Sequence, residues 1–205
     1  MKFLLLNGTL KVDSELSNTF TLCQMVKAGF EALGHECELV TLSEMEYKRS
    51  TDDVQDDLQP VIQKMFSVDG LIFATPIWWG GHSSYIQTII ERMDFIETFG
   101  YEKDYKPFYG KVFGTVVSGG GDGFQHIHGV NYNFATMLGF TVPPQCNIES
   151  ATQGRDKILK DDETIGMVKT FVSNMSAWAK ALKLSLIHIS EPTRPLYISY
   201  AVFCL

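Results

Sequence analysis

The chain has 205 residues, long enough for one α/β domain with a good core. Its 17 Lys and Arg against 24 Asp and Glu give a formal net charge of -7, which argues against nucleic acid as a partner and suits a soluble protein. No stretch approaches the roughly 20 apolar residues of a membrane helix, so no membrane partner is expected. Cys23, Cys37, Cys146 and Cys204 lack C-x-x-C spacing, against a metal cluster, dithiol site or disulfide framework and in favour of a reducing cytoplasm.

Lys2–Asn7 reads as a first strand, because Asn7-Gly8 follows the apolar Phe3–Leu6 too soon for a secretory leader. Gly8–Glu15 is a loop. From Ser17 the stripe Cys23, Val26, Phe30 and Leu33 predicts a helix that Gly34 stops. Cys37–Leu42 is a second strand. Asp53 to about Phe66 is a second helix with Leu58, Val61, Ile62 and Met65 on one face. The acids Asp52, Asp53, Asp56 and Asp57 read as its solvated start, where they complement the dipole.

The rest of the chain is organised around Asp69–Met93. Leu71–Ala74 is a short apolar run, read as a buried strand that ends at Thr75-Pro76 because proline cannot donate to a ladder. Two tryptophans and two glycines follow, and then Ile86, Ile89, Ile90 and Met93 step along a helix. Phe95–Gly110 is a long connection whose Tyr101, Tyr105, Phe108 and Tyr109 fit a lid, a dimer contact or ordinary packing. Lys111–Ser118 is strand four. His126–Leu138 is helical, with Val130, Phe134, Met137 and Leu138 inward, and Gly139 closes it. Phe140–Ile148 contains strand five, interrupted by Pro143-Pro144. Gly154–Lys160 is loop-like. Asp161 or Asp162 caps a last helix striped by Ile165, Val168, Val172, Met175, Ala179 and Leu182.

Strict β/α alternation implies a parallel sheet with helices on both faces, whose ligands bind beyond the carboxyl ends of the strands. Three loops would meet there. The first, Gly8 to Thr19, leads into a helix N-terminus that suits a phosphate, with hydroxyls from Thr9, Ser17 and Thr19 and the amide of Asn18; plain N-capping by Ser17 or Asn18 is the alternative. It lacks both G-x-G-x-x-G and the G-x-x-x-x-G-K-[ST] pattern. The second, Pro76 to Gly81, offers the flat surface and backbone donors that a flavin ring needs, unless Trp78 and Trp79 are ordinary core or interface residues. The third, Ser118–Phe124, lets backbone approach a ligand closely, although a glycine run also describes a mobile surface loop. His126 and His128 form a possible metal pair without a third ligand, so no metal site is expected; His126 fits better as a helix cap or beside the cofactor.

With NGTL…SNT, TPIWWG…SS…IERMD and GK.FG..VSGGGDG..H…LGFTVPP in view, the chain from Lys2 to about Ile148 resembles the flavodoxin-like NAD(P)H-dependent FMN reductase and oxidoreductase family. The resemblance implies an α/β fold, a doubly wound five-stranded parallel sheet of order 2-1-3-4-5 with helices on both faces. It implies FMN, with NADH or NADPH as electron donor, two-electron transfer to a small acceptor (quinone, free flavin, nitro or azo compound), and a homodimer or tetramer. Carried over by position, Thr9, Leu10, Ser17, Asn18 and Thr19 would hold the phosphate. Pro76, Ile77, Trp78, Trp79 and Gly80 would line the isoalloxazine ring. Ser118, Gly119, Gly120, Gly121 and Asp122 would reach its pyrimidine edge. Lys11 is the nearest equivalent of an arginine that relatives carry in the phosphate loop, and the cysteine cluster of the iron–sulfur flavoprotein relatives is absent. No side-chain nucleophile or triad is evident. A flavodoxin-type electron carrier that does not oxidise NAD(P)H, and a cofactor-free interaction module, are the competing classes.

Leu184–Leu205 resembles the in-frame translation of a sequencing adapter, with Leu184–Arg194 and Ile198–Leu205 as constant parts and Pro195–Tyr197 as the index between them; a genuine apolar extension is the alternative. The expected domain is therefore 1–183, with 184–205 as a non-native tail.

Overall fold

A computed structural model of the protein describes residues 1–13, 16–48, 55–94 and 107–190, with side chains to residue 185. Five strands, β1 Lys2–Asn7, β2 Glu36–Thr41, β3 Gly70–Pro76, β4 Val112–Ser118 and β5 Asn147–Ser150, pair in the order β2-β1-β3-β4-β5. Every pairing is parallel. This is the flavodoxin-like order that the sequence implied. The helices are α1 Asn18–Ala32, α2 Leu58–Met65, α3 Ser84–Arg92, α4 Phe124–Met137, α5 Arg155–Ile158 and α6 Asp162–Ser190.

Strand side chains alternate between faces, so helices on both sides need strands that are apolar throughout. Phe3, Leu5, Ile72 and Val116 turn one way and pack with Leu22, Val26 and Phe30 of α1 and Phe171, Val172 and Met175 of α6. Leu4, Leu6, Leu71, Phe73 and Phe113 turn the other way, onto Leu58 and Ile62 of α2, Ile86 and Ile89 of α3, and Ala135 of α4. No helix among the described residues is long and apolar enough to cross a membrane.

Several boundaries differ from the sequence expectation, each for a physical reason. Pro76 is the last residue of β3, paired beside Ser118, where a missing N–H disturbs no further rung. Leu33 is the C-cap of α1 and is exposed. Leu42 lies in a 3-10 turn, Leu42–Glu44, after β2. The expected start of the second helix at Asp53 lies outside the described residues, and Asp57 takes its N-cap position. α4 starts at Phe124, two residues before His126, and buries Phe124, Ile127, His128, Asn131 and Ala135. Val130 and Met137 are therefore exposed, because two polar residues occupy the inner face that an apolar template assigns outward. β5 keeps only Asn147–Ser150; in the segment before it Thr141 bridges Val112 and the Cys146 carbonyl accepts from the Thr115 N–H. Residues 155–158 form one helical turn instead of loop. Asp161 caps α6, accepting from the hydroxyls of Thr152 at 2.8 Å and Thr164 at 2.7 Å, which holds its carboxyl below the usual range. α6 continues through Leu184–Ser190, and residues 191–205, with Cys204, lie outside the described residues, as do Tyr101 and Tyr105. Phe108, by contrast, is ordinary core, stacked on Phe140 at 4.4 Å.

Asp56 is not a solvated acid. Its carboxylate and the Arg92 guanidinium form a buried two-armed pair at 2.9 and 3.3 Å, side chains 8% and 3% exposed. Asp56 also accepts from the N–H groups of Lys48 and Leu58, and Arg92 donates to the Lys48 carbonyl. The pair anchors the last turn of α3 to the segment that precedes α2. The hydrogen bonds from Arg92 hold the Asp56 carboxyl below the usual carboxylate range. A depressed carboxyl contributes stability above its unfolded value and loses it as pH falls through the folded one. Asp56→Asn should therefore cost about 3–5 kcal/mol at neutral pH by urea denaturation. The gap between variant and wild type should shrink in acid, below the ordinary carboxylate range.

Candidate functional site

The carboxyl edge of the sheet is stepped. Asn7, the last residue of β1, sits level with Ala74, while β3 and β4 run two positions further, to Pro76 and Ser118. The loop after β1 folds over that step. Gly8 donates its N–H to the Ala74 carbonyl at 2.7 Å, and a Cβ on Gly8 would lie 2.7 Å from both Ile86 and the Ser83 hydroxyl. Only a residue without a side chain allows this approach. The buried Asn7 amide accepts from the Thr9 N–H at 3.2 Å, turning the chain, and Lys11 Nζ donates to the Leu16 carbonyl and closes the loop.

Ser17 is the N-cap of α1, its hydroxyl accepting from the Phe20 N–H at 3.2 Å. The capping alternative thus holds, and capping keeps Ser17 at the cavity wall. The N–H groups of Asn18 and Thr19, in the first turn, have no carbonyl four residues earlier within the helix. The Thr19 and Ser118 hydroxyls lie 2.7 Å apart and join the first loop to the end of β4.

The loop after β3 is a two-residue hairpin. Trp78 and Gly81 exchange backbone hydrogen bonds at 2.8 and 2.9 Å, with Trp79 at φ 50° and Gly80 at φ 77°. Both central residues are left-handed, as in a type I′ turn. For a bulky aromatic this is an outlier that costs on the order of 1–3 kcal/mol. The hairpin packs on the loop after β4: Ile77 donates to the Ser118 carbonyl at 2.9 Å, and a Cβ on Gly119 would meet the Ile77 side chain at 2.7 Å. Gly123, at φ 92°, is tighter still, for a Cβ there would lie 2.6 Å from the Gly80 carbonyl.

These loops enclose a cavity of about 700 Å³, within the usual size of small-molecule sites. Of the residues singled out from sequence, Thr9, Leu10, Ser17, Asn18, Thr19, Pro76, Ile77, Trp78, Ser118, Gly119 and Gly120 line it. Trp79, Gly80, Gly121 and Asp122 do not, since the hairpin turns its tip away and leaves Trp79 fully exposed, and Gly121 and Asp122 lie on the outer side of the third loop. Lys11 also lines the cavity, with Ala151 and Gln153 from the loop after β5. The last two were missed because that loop carries no aromatic or glycine-rich signal; only its place after a strand could have pointed to it.

Lys11 is the one charged residue among the described lining residues, and no acid, histidine or thiol joins it. The strongly shifted groups lie elsewhere. His128 on α4 is buried behind β4, its Nδ1 2.6 Å from the Thr115 hydroxyl and its Nε2 3.1 Å from Glu149. Burial pushes its pKa down, and Glu149 pulls it back up. Burial raises Tyr132, beside it, to about 12. His126 is exposed on the other side of α4, so the two histidines do not converge, and no group of three possible metal ligands occurs among the described residues. Cys37 and Cys146 are buried thiols pushed up to about 12, and Cys23 higher still. Among the described lining residues the polar surface of the cavity is Lys11 together with neutral hydroxyl, amide and backbone groups, an arrangement suited to binding.

The sequence profile of "NADPH-dependent FMN reductase" matches residues 1–153. The chain is 30% identical over 156 residues to 8-demethyl-8-aminoriboflavin-5′-phosphate synthase of Streptomyces davaonensis, covering 70% of this chain and 61% of that protein. It is 26% identical over 129 residues to an iron-sulfur flavoprotein of Archaeoglobus fulgidus, covering 58% and 60%. The chain thus spans about three fifths of the length of either relative. A crystal structure of RosB with bound 8-demethyl-8-formylriboflavin-5′-phosphate superposes with a TM-score of 0.77 at 23% identity, covering 100% of this chain and 94% of that one.

The packing of the second and third loops predicts a contrast between two glycines. Gly123→Ala should lower the melting temperature by several degrees, because the added methyl meets backbone at a positive φ. Gly120→Ala, with nothing within 4 Å of the added methyl, should melt within about a degree of the wild type.

Proposed function

The chain belongs to the NADPH-dependent FMN reductase family, a group of FMN-dependent oxidoreductases, and we propose that it carries two electrons from NADPH or NADH to a small acceptor such as a quinone, free flavin, nitro or azo compound. The observation that supports this reading is the cavity itself: hydroxyls and a helix N-terminus at one end, apolar and bare backbone surface at the other, and no acid, histidine or thiol among the described lining residues.

The residues fit FMN. Thr9, Ser17, Asn18 and Thr19 offer hydroxyl, amide and backbone donors for a phosphate, with Lys11 as the nearby cation. Ile77 and Trp78 present flat apolar surface for the ring and exclude water from it. Gly120 leaves open space above its backbone, where the ring edge can approach. FMN, when bound, supplies the centre that takes up hydride and passes electrons on. The chain's own part is to bind, orient and shield. Because one cavity serves both exchanges, donor and acceptor would enter in turn, giving ping-pong kinetics. The fully exposed Trp79 beside the mouth favours a second copy packing there, so a homodimer or tetramer is proposed; the buried free thiols fit a reducing cytoplasm.

A second reading follows from the Streptomyces relative, whose name makes a riboflavin phosphate its product: a flavin phosphate in this cavity as substrate instead of tenant. Anaerobic mixing of FMN-loaded protein with NADPH or NADH tests the first reading. Its flavin absorbance should bleach within seconds, return on adding a quinone, and the flavin recovered should have the mass of FMN. Flavin that stays oxidised for many minutes would sink the reductase and leave an electron carrier; a changed mass would favour the second reading.

A further inference from the structure

The cavity at the stepped edge has a neighbour of about 510 Å³, itself within the size of small-molecule sites. Ser17, Asn18 and Gln153 line both, so these residues divide the two spaces. The passage between them is shut by a row of hydrogen bonds. Gln153 Nε2 donates to the Ala151 carbonyl at 3.2 Å, Asn18 Nδ2 donates to Gln153 Oε1 at 2.5 Å, and Asn18 Oδ1 accepts from the Gly154 N–H at 3.0 Å. Backbone groups at the two ends dictate how both amides face. The Gly154 N–H can only donate, so it takes the Asn18 oxygen and turns Nδ2 toward Gln153. The Ala151 carbonyl can only accept, so it takes the Gln153 nitrogen and turns Oε1 toward Asn18. The row closes without a mismatched pair, and it ties the start of α1 to the loop after β5.

From this arrangement we infer that the Asn18–Gln153 strut is a length filter, which admits a flavin that ends at its 5′-phosphate and rejects one extended beyond that phosphate, as FAD is. The inference rests on the flavin reading of the first cavity, with the phosphate at the start of α1. It holds whether the flavin phosphate stays as a tenant or turns over as a substrate, because both end at the same group. The start of α1 carries the phosphate donors, and the strut springs from the same turn. A second phosphate attached there meets two amides already spent on each other and on backbone. To pass, it has to displace Gln153 and break two hydrogen bonds, each worth roughly two- to tenfold in an equilibrium. The space beyond the strut is roomy, so the barrier is the strut itself and not a lack of volume.

Titrations of flavin-free protein with FMN and with FAD, followed by flavin fluorescence, test the filter in wild type and in Gln153→Ala. Gln153 is exposed, so its truncation opens the passage without disturbing the core. Wild type should prefer FMN over FAD by at least about tenfold, the size of the two bonds broken. In Gln153→Ala that preference should collapse, because FAD binds the variant about tenfold more tightly than it binds wild type. A gain of affinity is the decisive sign, since a strut that only braced the loop would weaken every flavin when lost. Wild type that binds FAD as tightly as FMN, or a preference for FMN that Gln153→Ala leaves intact, overturns the filter and leaves the flavin reading in place. Wild type that binds neither flavin overturns both.

Discussion

The site depends on one constraint: three loop backbones have to pack against one another at the stepped edge of the sheet, closer than side chains would permit. β1 stops two positions short of β3 and β4. Gly8 lays the first loop across that step onto the Ala74 carbonyl, Gly119 admits the Ile77 side chain, and Gly123 lies against the Gly80 carbonyl. Remove any of these close approaches and the loops separate, the Thr19–Ser118 contact opens, and the cavity loses the wall it shares between strands. Sheet register therefore sets the place of the site, and the absence of Cβ atoms sets its closure.

Around this edge the chain separates structural polarity from functional polarity. Asp56–Arg92 on one helix layer is a hydrogen-bonded ion pair that holds helices in place, and His128 lies beneath β4 between Thr115 and Glu149. The cavity has neutral donors and one lysine instead. A wall of that kind fits the proposed phosphate and flat ring without competing for protons, and so suits a bound redox group whose own electronics carry the reaction. The left-handed Trp79 fits the same division, since its strain lies in the hairpin that shapes the cavity's rim.

Much of this was legible in the residues. The short apolar runs of the inner strands and the Ile86–Ile89 face are direct consequences of what has to be buried, and they place the carboxyl edge correctly. The place of the first loop at the cavity was legible because it joins β1 to the N-terminus of α1 at the carboxyl edge of the sheet. Other features were not. Asp56 reads as one of four surface acids until the fold brings Arg92 from 36 residues away. α4 hides its inner face because His128 and Asn131 are buried in apolar places. Trp78 and Trp79 are adjacent and alike in sequence, and only the positive φ at Trp79 sends one to the cavity and the other to solvent. Gln153 carries no signal of its own and joins the site through topology alone.

The central claim is that the stepped edge grips FMN by its phosphate at the start of α1. Parallel titrations of flavin-free protein with FMN and with riboflavin, which lacks the phosphate, test it most directly. The account predicts that FMN binds at least about a hundredfold more tightly, roughly 2.7 kcal/mol. Equal affinity for the two flavins would contradict it.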